Sequence, residues 1–580
     1  GLNGLALAAV AVAWSGGPAT LALALAVATC LLTAILGGRR ARPQHITLVG
    51  RYVLARLTAL YAAFSASLPD AVVIASPPSV PAARVVALVT VTGCLLAEPV
   101  TRAFSAQAFP YAARFAGVKT RTVHLPTDVV FWVNLIAATG LVLAGGELGS
   151  TQVGLAVVAA VVNLILMADV ALFAINRLRF NASLPKLWER IKPTFAIHWQ
   201  AAPGSLHQLT MWMDQLKALG KPFFIITRTR ENFLEVTKAF DVPVLHRVGL
   251  DGVEDALSPS LKTVFYVNTA ILNDHMLRYP HLNHIQLNHG DSDKVASYSP
   301  VFRAYDKDFV AGQAAIDRFA AAGLATAPDF FVIVGRPQVA AVEPTRGPLA
   351  ELDSPTALYA PTWCGNTKDS NYTSLPRGPE IVRALLARGC TVVFRPHPYW
   401  DKHYKTAAAR DQVVALLTAD AAASGRAHVF GAQAESELSI IDCFNRSDLM
   451  ISDVSSVVAD YLYSEKPLVM IAVTARPEEF TPDFPVARGA YVVDYASLTT
   501  GPLVTAPAST ADPGLANGDA PLAAIGVGQT AEYTLSSALD AIWGDDPLAG
   551  VRRDLKAYYL GDIPRKQYAE RFREEASKYV

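Results

Sequence analysis

Residues 1–192 are dominated by long apolar runs separated by short basic segments. Ala19–Leu36 holds no charged residue over about 18 positions, which is near the minimum for a helix that crosses a bilayer. Val129–Gly146 and Val153–Ile175 are two further apolar runs, joined by a short polar turn. The pattern therefore predicts a helical membrane domain over residues 1–192.

Basic residues lie at particular ends of these runs. Arg39, Arg40 and Arg42 directly follow the first run, whereas a cleaved signal peptide would carry its basic residues before the apolar stretch. A second basic group borders the paired runs: Lys119, Arg121, Arg177, Arg179, Lys186, Arg190 and Lys192. Because Lys and Arg are enriched on the cytoplasmic side of membranes, we expect both ends of the pair to be cytoplasmic and the turn to face outward.

Other parts of this region are less regular. Tyr52–Leu68 and Val85–Leu96 are short or interrupted apolar stretches, and they form either a second hairpin or helices at the membrane surface. Thr101–Arg121 mixes aromatic with basic residues, which favours a helix at the headgroup level, with a solvated linker as the alternative. Asp169 lies within the last apolar run, and we expect it to face other helices or the interface, since a carboxylate in lipid is costly.

After Pro193 short apolar runs alternate with helical stretches, a pattern typical of βαβ units and parallel sheets. Two series of strands are predicted. The first is Phe195–Ile197, Phe223–Ile226, Thr263–Val267, Ile285–Leu287, Phe309–Ala311 and Phe331–Val334; the second is Leu358–Ala360, Val392–Arg395, His428–Phe430, Leu449–Ser452 and Leu468–Ile471.

The predicted fold class is therefore α/β, with two Rossmann-like lobes behind an α-helical transmembrane domain. Residues 193–345 form the first lobe, and residues 346–580 form the second lobe with returning C-terminal helices. Thr499–Gly528, rich in Gly, Pro, Ala and Ser, is expected to be an irregular insertion. In such a fold a ligand binds at the carboxyl ends of the strands.

Composition narrows the functional classes only a little. The formal net charge is zero, so whole-protein charge gives no argument for a nucleic-acid partner. Only two acids, Asp70 and Glu98, precede Asp128, which makes the membrane domain basic as well as apolar. The five cysteines are scattered without metal-ligand spacing, so we predict neither a disulfide framework nor a metal site, and no cofactor.

The first stretch whose residues could take part in catalysis or binding runs from Gln286 to Lys294, where a predicted strand ends. His289 follows the strand, and an imidazole there is suited to general-base catalysis near neutral pH. Gly290 permits a sharp turn, and Lys294 brings a positive charge suited to phosphate. The alternative is a purely structural histidine.

The second stretch, Val392–Tyr399, also follows a predicted strand and contains Arg-Pro-His-Pro. Two prolines fix the backbone around His397, and the guanidinium of Arg395 is suited to phosphate oxygens.

The third stretch, Leu449–Tyr461, contains Ser-Asp-Val-Ser-Ser at a strand-to-helix junction. Ser455 and Ser456 would place two hydroxyls and backbone N–H groups at a helix N-terminus, which favours a phosphate site. Simple helix capping by Asp453 or Ser455 is the alternative.

The order of these motifs resembles that of the CDP-glycerol glycerophosphotransferase family, the teichoic acid primases and polymerases. The resemblance runs from Phe195 to Val473. Its elements are His289-Gly-x-x-x-Lys294, Tyr359-Ala-Pro-Thr-Trp363, Arg395-Pro-His-Pro398, and Ser452-Asp-x-Ser-Ser456 followed by Asp460-Tyr461.

This resemblance implies a GT-B fold and a metal-independent transfer of glycerol-phosphate, or a related alditol-phosphate, from a CDP-activated donor. The acceptor would be a hydroxyl of a lipid-linked glycan or cell-envelope polymer at a bacterial cell membrane, with the catalytic domain cytoplasmic. His289 and His397 would be catalytic. The substrate-binding set would be Gly290, Lys294, Thr362, Arg395, Asp453, Ser455 and Ser456.

The sequence departs from the family pattern at three places. Val454 stands where the family usually has Tyr, Asp291-Ser-Asp293 replaces Thr-Pro-Leu, and Pro337-Gln-Val-Ala340 replaces Pro-Arg-x-Asp. The second change puts two carboxylates beside the proposed base, so the identity of the acceptor is left open. Two alternatives also stand: a GT-B glycosyltransferase with a CMP- or UDP-linked sugar, and a non-catalytic nucleotide-binding membrane module.

Overall fold

The computed structural model describes residues 2–40, 46–66, 82–108, 110–144, 150–294, 297–365, 371–498 and 533–580. The chain divides into two compact units. Unit 1 comprises residues 1–192 and 224–260, and unit 2 comprises residues 193–223 and 261–580. The expected turn residues 147–149 and the insertion Thr499–Gly528 lie outside the described residues, and the predicted lobe boundaries stay predictions.

Unit 1 begins with helices that follow the predicted apolar runs. They are α1 (Leu2–Trp14), α2 (Ala19–Arg40), α3 (Ile46–Ala66), α4 (Ala82–Gln107), α5 (Asp128–Ala144) and α6 (Ser150–Ile191). Among the described residues, three stretches are long and apolar enough to cross a membrane, namely Ala19–Leu36, Ala82–Ser105 and Thr151–Ile191. α5 has only 17 residues, and the two interrupted stretches left open above are continuous helices, α3 and α4.

Charged side chains inside unit 1 are paired with protein groups. Arg56 Nη2 donates to Glu98 Oε2 at 3.0 Å, with both side chains fully buried. Asp169 accepts a hydrogen bond from the backbone N–H of Leu125 at 2.7 Å and forms an ion pair with Arg121. Asp169 was expected to face other helices or the interface; its partners instead lie on the non-helical segment that precedes α5.

The prediction of one helix over Thr101–Arg121 is wrong. α4 ends at Gln107, and the chain then forms a short strand, β1 (Ala112–Ala113), which pairs antiparallel with β4 (Val244–His246). Pro110 lacks an N–H and cannot continue the helix. Tyr111 and Phe115 are buried inside unit 1, where the ring centroid of Tyr111 lies 5.6 Å from that of Phe173, whereas Phe104 is exposed.

The remaining part of unit 1 is a small parallel element. β3 (Phe223–Thr227) runs parallel to β4, and α8 (Arg230–Ala239) connects them. Trp188 near the end of α6 packs on Phe224 with ring centroids 4.9 Å apart.

Unit 2 contains two parallel sheets. In the first, five strands follow the order β2-β5-β6-β7-β8. Their bounds are β2 (Phe195–Trp199), β5 (Thr263–Tyr266), β6 (Asn283–Gln286), β7 (Lys307–Val310) and β8 (Phe331–Ile333), and the accompanying helices are α7 (His207–Lys217), α9 (Asp274–Leu277) and α10 (Gln313–Ala321).

The second sheet has the order β10-β9-β11-β12-β13, again all parallel. Its strands are β9 (Thr356–Ala360), β10 (Thr391–Phe394), β11 (Leu449–Ser452), β12 (Leu468–Ala472) and β13 (Tyr491–Asp494). Its helices are α11 (Gly378–Ala387), α12 (Tyr404–Ser424), α13 (Ile440–Arg446), α14 (Ser456–Tyr461), α15 (Pro477–Asp483), α16 (Leu535–Trp543) and α17 (Ala549–Leu560). The last helix, α18 (Tyr568–Ser577), returns to the first sheet, where the ring centroid of Phe572 lies 5.1 Å from that of Trp212 on α7.

The two parallel sheets confirm the coarse fold class. Both faces of the second sheet are covered, and its strands are therefore nearly continuous apolar runs, which explains why the sequence pattern located them. His428–Phe430 was predicted as a strand, but in the structure it makes only an isolated bridge from Val429 to Val393.

Candidate active site

The three motifs meet in one cleft within unit 2. A cavity of about 740 Å³ lies where the carboxyl ends of β5, β6, β9, β10 and β11 converge. The predicted site residues that line it are His289, Gly290, Lys294, Thr362, Arg395, His397, Ser455 and Ser456. Asp453 is the predicted residue that does not line the cavity.

His289 and the preceding Asn288 are held by residues of α7 and of the segment after β5. The preceding Asn288 adopts a left-handed backbone with φ of 58°, and its carbonyl accepts a 2.5 Å hydrogen bond from the indole of Trp212. The Nδ1 of His289 lies 2.8 Å from the carbonyl oxygen of Val267. A carbonyl only accepts, so Nδ1 carries the proton in the neutral ring and Nε2 keeps a lone pair. Burial lowers the pKa of His289 below its ordinary value, which favours this neutral form.

His397 has the opposite tautomer. The backbone N–H of Tyr399 donates to its Nδ1 at 3.1 Å, so the neutral ring carries its proton on Nε2. Burial, with Lys294 and His207 nearby, lowers the pKa of His397 to about 4. The ring is stacked on Trp363, with centroids 6.0 Å apart and an interplanar angle of 23°. His397 is therefore a neutral hydrogen-bond donor that cannot act as a strong base.

Gly290 allows two motifs to touch. A Cβ added to Gly290 would lie 3.0 Å from both Cβ and Oγ of Ser456, at the start of α14. Any other residue at position 290 would force Ser456 to shift by a few tenths of an ångström. The loop that carries His289 and the serine pair are thus in van der Waals contact across the cleft.

Capping does not explain the polar residues of the third motif. Ser455 is the N-cap residue of α14, yet its hydroxyl makes no capping hydrogen bond. The carboxylate of Asp453 accepts instead from the backbone N–H groups of Thr362 at 2.8 Å and Ser374 at 3.1 Å. Asp453 is fully buried, and burial raises its pKa to about 7. It therefore positions the Thr362 loop from behind the cavity wall, which differs from the predicted direct contact with substrate.

The side chains of Arg395 and Lys294 already interact with other groups of the protein. Nη1 of Arg395 donates to the carbonyl oxygens of Leu438, at 2.7 Å, and Ala434, so this guanidinium also fixes the turn over residues 433–437. The ammonium of Lys294 lies 5.3 Å from the ring centroid of Tyr372. Burial lowers the pKa of Lys294, while the charge of Asp453 opposes that effect.

Two buried ion-pair groups were not predicted as parts of the site. Arg336 donates to Asp460 from Nε at 2.9 Å and from Nη2 at 3.2 Å, and both residues line the cavity. Arg318 pairs with both Asp291 and Asp293. The sequence showed the carboxylates, but their arginine partners lie 25 residues or more away along the chain, where no local pattern marks them. Among the described residues, no group of three or more His, Cys, Asp and Glu could hold a metal ion.

Comparison with known proteins gave one family match. Residues 345–513 match the family model described as CDP-Glycerol:Poly(glycerophosphate) glycerophosphotransferase. No curated protein matches the chain.

Among solved structures, a putative UDP-N-acetylglucosamine 2-epimerase from Listeria monocytogenes is 12% identical, with a TM-score of 0.40, over 65% of this chain and 94% of that one. The wall teichoic acid polymerase TagF, in one of its structures, is 11% identical, with a TM-score of 0.40, over 69% and 92%. Anabaena HepE in complex with UDP and glucose is 11% identical, with a TM-score of 0.38, over 66% and 99%. Likenesses at these identities and TM-scores carry no argument about activity.

The matched range holds the second sheet and the motifs that contain Arg395, His397, Ser455 and Ser456. His289, Gly290 and Lys294 precede it, and they complete the same cavity. Residues 345–513, which carry the second sheet, are therefore similar to the CDP-Glycerol:Poly(glycerophosphate) glycerophosphotransferase family.

Proposed function

We propose that the protein transfers glycerol-phosphate, or a related alditol-phosphate, from a CDP-activated donor to a hydroxyl of a membrane-anchored glycan or polymer. The observation that carries this proposal is the pair of histidines with opposite tautomers in one cavity. His289 presents a lone pair and His397 presents an N–H donor. A transfer to a hydroxyl needs both functions, one for the proton of the acceptor and one for the charge of the phosphate.

In this mechanism the acceptor oxygen attacks the phosphorus that bears the alditol. An oxygen–phosphorus bond forms, the bond from phosphorus to the oxygen of CMP breaks, and Nε2 of His289 takes the hydroxyl proton. The departing CMP gains negative charge. The Nε2–H of His397 and the hydroxyls of Ser455 and Ser456 line the same cavity and would stabilise that charge, with Lys294 adding a positive field.

The apolar helices of unit 1 suggest that the transfer takes place at a membrane. Three described stretches have the length and composition to cross a membrane. We expect them to anchor the enzyme in the bacterial cell membrane as a multi-pass protein with its catalytic residues in the cytoplasm, where CDP-activated donors are available. Anchoring raises the effective concentration of an acceptor that is itself confined to the bilayer.

Turnover of purified full-length protein in detergent or nanodiscs tests this proposal. We expect release of CMP from CDP-glycerol or CDP-ribitol in the presence of EDTA, dependent on a lipid-anchored sugar acceptor. Release of UDP or CMP from a nucleotide sugar, without reaction on any CDP-alditol, would identify a glycosyltransferase instead. Binding of CDP-glycerol without turnover on any acceptor would support a non-catalytic module.

A further inference from the structure

Unit 1 contains a buried group of charged and amide side chains inside its apolar helices, which we call the polar cluster. It consists of Arg56 on α3, Glu98 and Arg102 on α4, Asn134 on α5 and Asn163 on α6, and each of these residues is at most 5% exposed. Ionisable residues within apolar spanning helices are costly and usually mark a functional site. The reaction proposed for unit 2 uses none of them.

One carboxylate serves two guanidinium groups in the polar cluster. Oε2 of Glu98 accepts from Nη2 of Arg56 at 3.0 Å and from Nδ2 of Asn134 at 3.4 Å. Oε1 of Glu98 lies 3.8 Å from Nε of Arg102, which is too far for a hydrogen bond. Asn163 donates to the amide oxygen of Asn134 at 2.7 Å. With Glu98 ionised, two cations and one anion leave the cluster with an excess of one positive charge.

Several guanidinium nitrogens of the polar cluster lack an acceptor. No described residue accepts a hydrogen bond from Nη1 of Arg56 or from Nε and Nη2 of Arg102, and all three atoms are buried. Both guanidinium groups lie over the ring of Phe131, at 4.9 Å and 5.5 Å from its centroid, which compensates only part of their charge. A buried cation without a full set of acceptors is strongly destabilising. The arrangement therefore favours a bound anion with several oxygen acceptors.

The polar cluster lies near one end of the apolar helices. Arg102 is three residues and Glu98 seven residues before the end of the apolar stretch Ala82–Ser105, which is roughly 5 and 10 Å along the helix. The segment after α4 carries Lys119 and Arg121, so this end is the one expected at the cytoplasmic face. Lipid phosphates lie just outside the hydrocarbon core. Long arginine side chains reach that level from within the core, and turning of Arg102 toward it opens the cluster.

The outer surface of the helices around the polar cluster is apolar. Leu96 and Val100 are exposed on α4, two residues before and two residues after Glu98, and Trp132 and Ile136 are exposed on α5. An anion attached to hydrocarbon chains gains from burial of these side chains as well as from the charge beneath them. A free anion gains only from the charge. The surface therefore favours a lipid over a soluble anion.

We propose that the polar cluster binds the phosphate group of a membrane lipid in the cytoplasmic leaflet. The phosphate oxygens accept from the N–H groups of Arg56 and Arg102, and one negative charge of the phosphate balances the excess positive charge. Glu98, held by Asn134, orients Arg56 for this contact. Unit 1 is then a lipid-recognition domain as well as an anchor. This binding depends on the membrane location proposed above and is independent of the reaction in unit 2.

The test measures lipid binding to the purified full-length protein in a neutral detergent. Two pairs of probes differ only in the phosphate: short-chain phosphatidylglycerol with the matching diacylglycerol, and farnesyl phosphate with farnesol. Inorganic phosphate is the probe without chains. Affinities come from the rise of the unfolding temperature with probe concentration. We expect at least one phosphate lipid to bind about tenfold or more tightly than its neutral counterpart and than inorganic phosphate, because charge-assisted hydrogen bonds and chain burial act together.

Two outcomes of this measurement would overturn the proposal. If neither phosphate lipid bound more tightly than its neutral counterpart, the phosphate would not be recognised and the cluster would be hydrated. If inorganic phosphate bound as tightly as the lipids, the site would be one for a soluble anion. Recovery of the wild-type protein from cells in the soluble fraction would instead contradict the membrane location itself.

Two substitutions with opposite expected effects assign the binding to the polar cluster. Arg102→Gln removes a cation and should weaken binding of the phosphate lipid about tenfold or more. Glu98→Gln removes the competing carboxylate and should strengthen binding about threefold or more, although loss of the buried ion pair lowers the stability of the protein without lipid. Arg179→Gln removes an equal charge from an exposed position on α6 and is the control, with unchanged affinity expected.

The signs of these effects distinguish a binding site from a structural ion pair. Weaker binding by Glu98→Gln would mean that the cluster only supports the fold of the helices, and it would overturn the proposal. An equal loss of binding in Arg102→Gln and Arg179→Gln would assign the attraction to general surface charge. Because the two cluster variants predict opposite changes, either one remains informative if the other fails to fold.

Discussion

At the scale of single residues, the tautomers of the two histidines decide the chemistry of the site. The sequence places His289 and His397 at strand ends, and from this their closeness in one cleft could be predicted. It could not show which nitrogen of each ring carries the proton. That depends on the carbonyl of Val267 for one ring and on the N–H of Tyr399 for the other.

Removal of each imidazole should have a separable effect. We expect His289→Ala to lower kcat by about 10²–10⁴-fold, the usual worth of general-base catalysis, with donor affinity nearly unchanged. His397→Ala should weaken CDP-alditol binding and lower turnover, because a neutral donor to the phosphate is lost. Steady-state kinetics and calorimetric binding measure the two effects, with the exposed His281→Ala as control. If His289→Ala kept the wild-type kcat under saturating substrates, His289 would not be the general base.

The pH dependence of kcat/KM should reflect the protonation of His289. His289 acts when neutral, and its pKa is lowered from 6.5 by burial. The activity it supports is therefore fully present above the lowered pKa and is lost as the pH falls through that value. We expect the plateau to continue below pH 6.5 before activity declines. A decline that begins well above that pH would indicate a different base.

At the scale of elements, alternating apolar runs and strand-end motifs were sufficient to locate the strands that carry the site. They did not reveal β13, where Tyr491–Asp494 is a strand of only four residues. They also did not reveal the ion pairs of Arg318 and Arg336, since each arginine lies on a different element from its acids. Burial pattern follows from local sequence, whereas the pairing of charges follows from the packing of distant segments.

The contact between Gly290 and α14 can be tested with a methyl group. We expect Gly290→Ala to weaken donor binding and to lower kcat/KM by up to about tenfold. The added Cβ forces Ser456 to shift by a few tenths of an ångström, and misplacement of a site by a full ångström costs about 10²-fold. Gly550→Ala is the control, since a Cβ there meets nothing within 4 Å. Both proteins should unfold at similar temperatures. Unchanged kinetics for Gly290→Ala would show that the helix start can move without cost.

At the scale of the whole molecule, the orientation in the membrane is a prediction from charge. We expect a thiol engineered at residue 149 to react with an impermeant maleimide on intact cells, and one at Thr210 to react only after the membrane is opened. A variant without added thiols measures the background from the five native cysteines. If only the thiol at position 210 were labelled on intact cells, the orientation in the membrane would be opposite to the predicted one.

The protonation states of the two rings also bear on reversal of the reaction. By microscopic reversibility, CMP can retrieve the alditol-phosphate from product only if His289 returns a proton to the departing acceptor oxygen. The lowered pKa of His289 makes that imidazolium scarce at neutral pH, and His397, with a pKa of about 4, is no substitute. Isotope exchange from labelled CMP into the donor pool should therefore be slow at pH 7.5 and rise toward acid. If the proposed reaction is correct, the product is therefore rarely converted back to the CDP-activated donor at neutral pH.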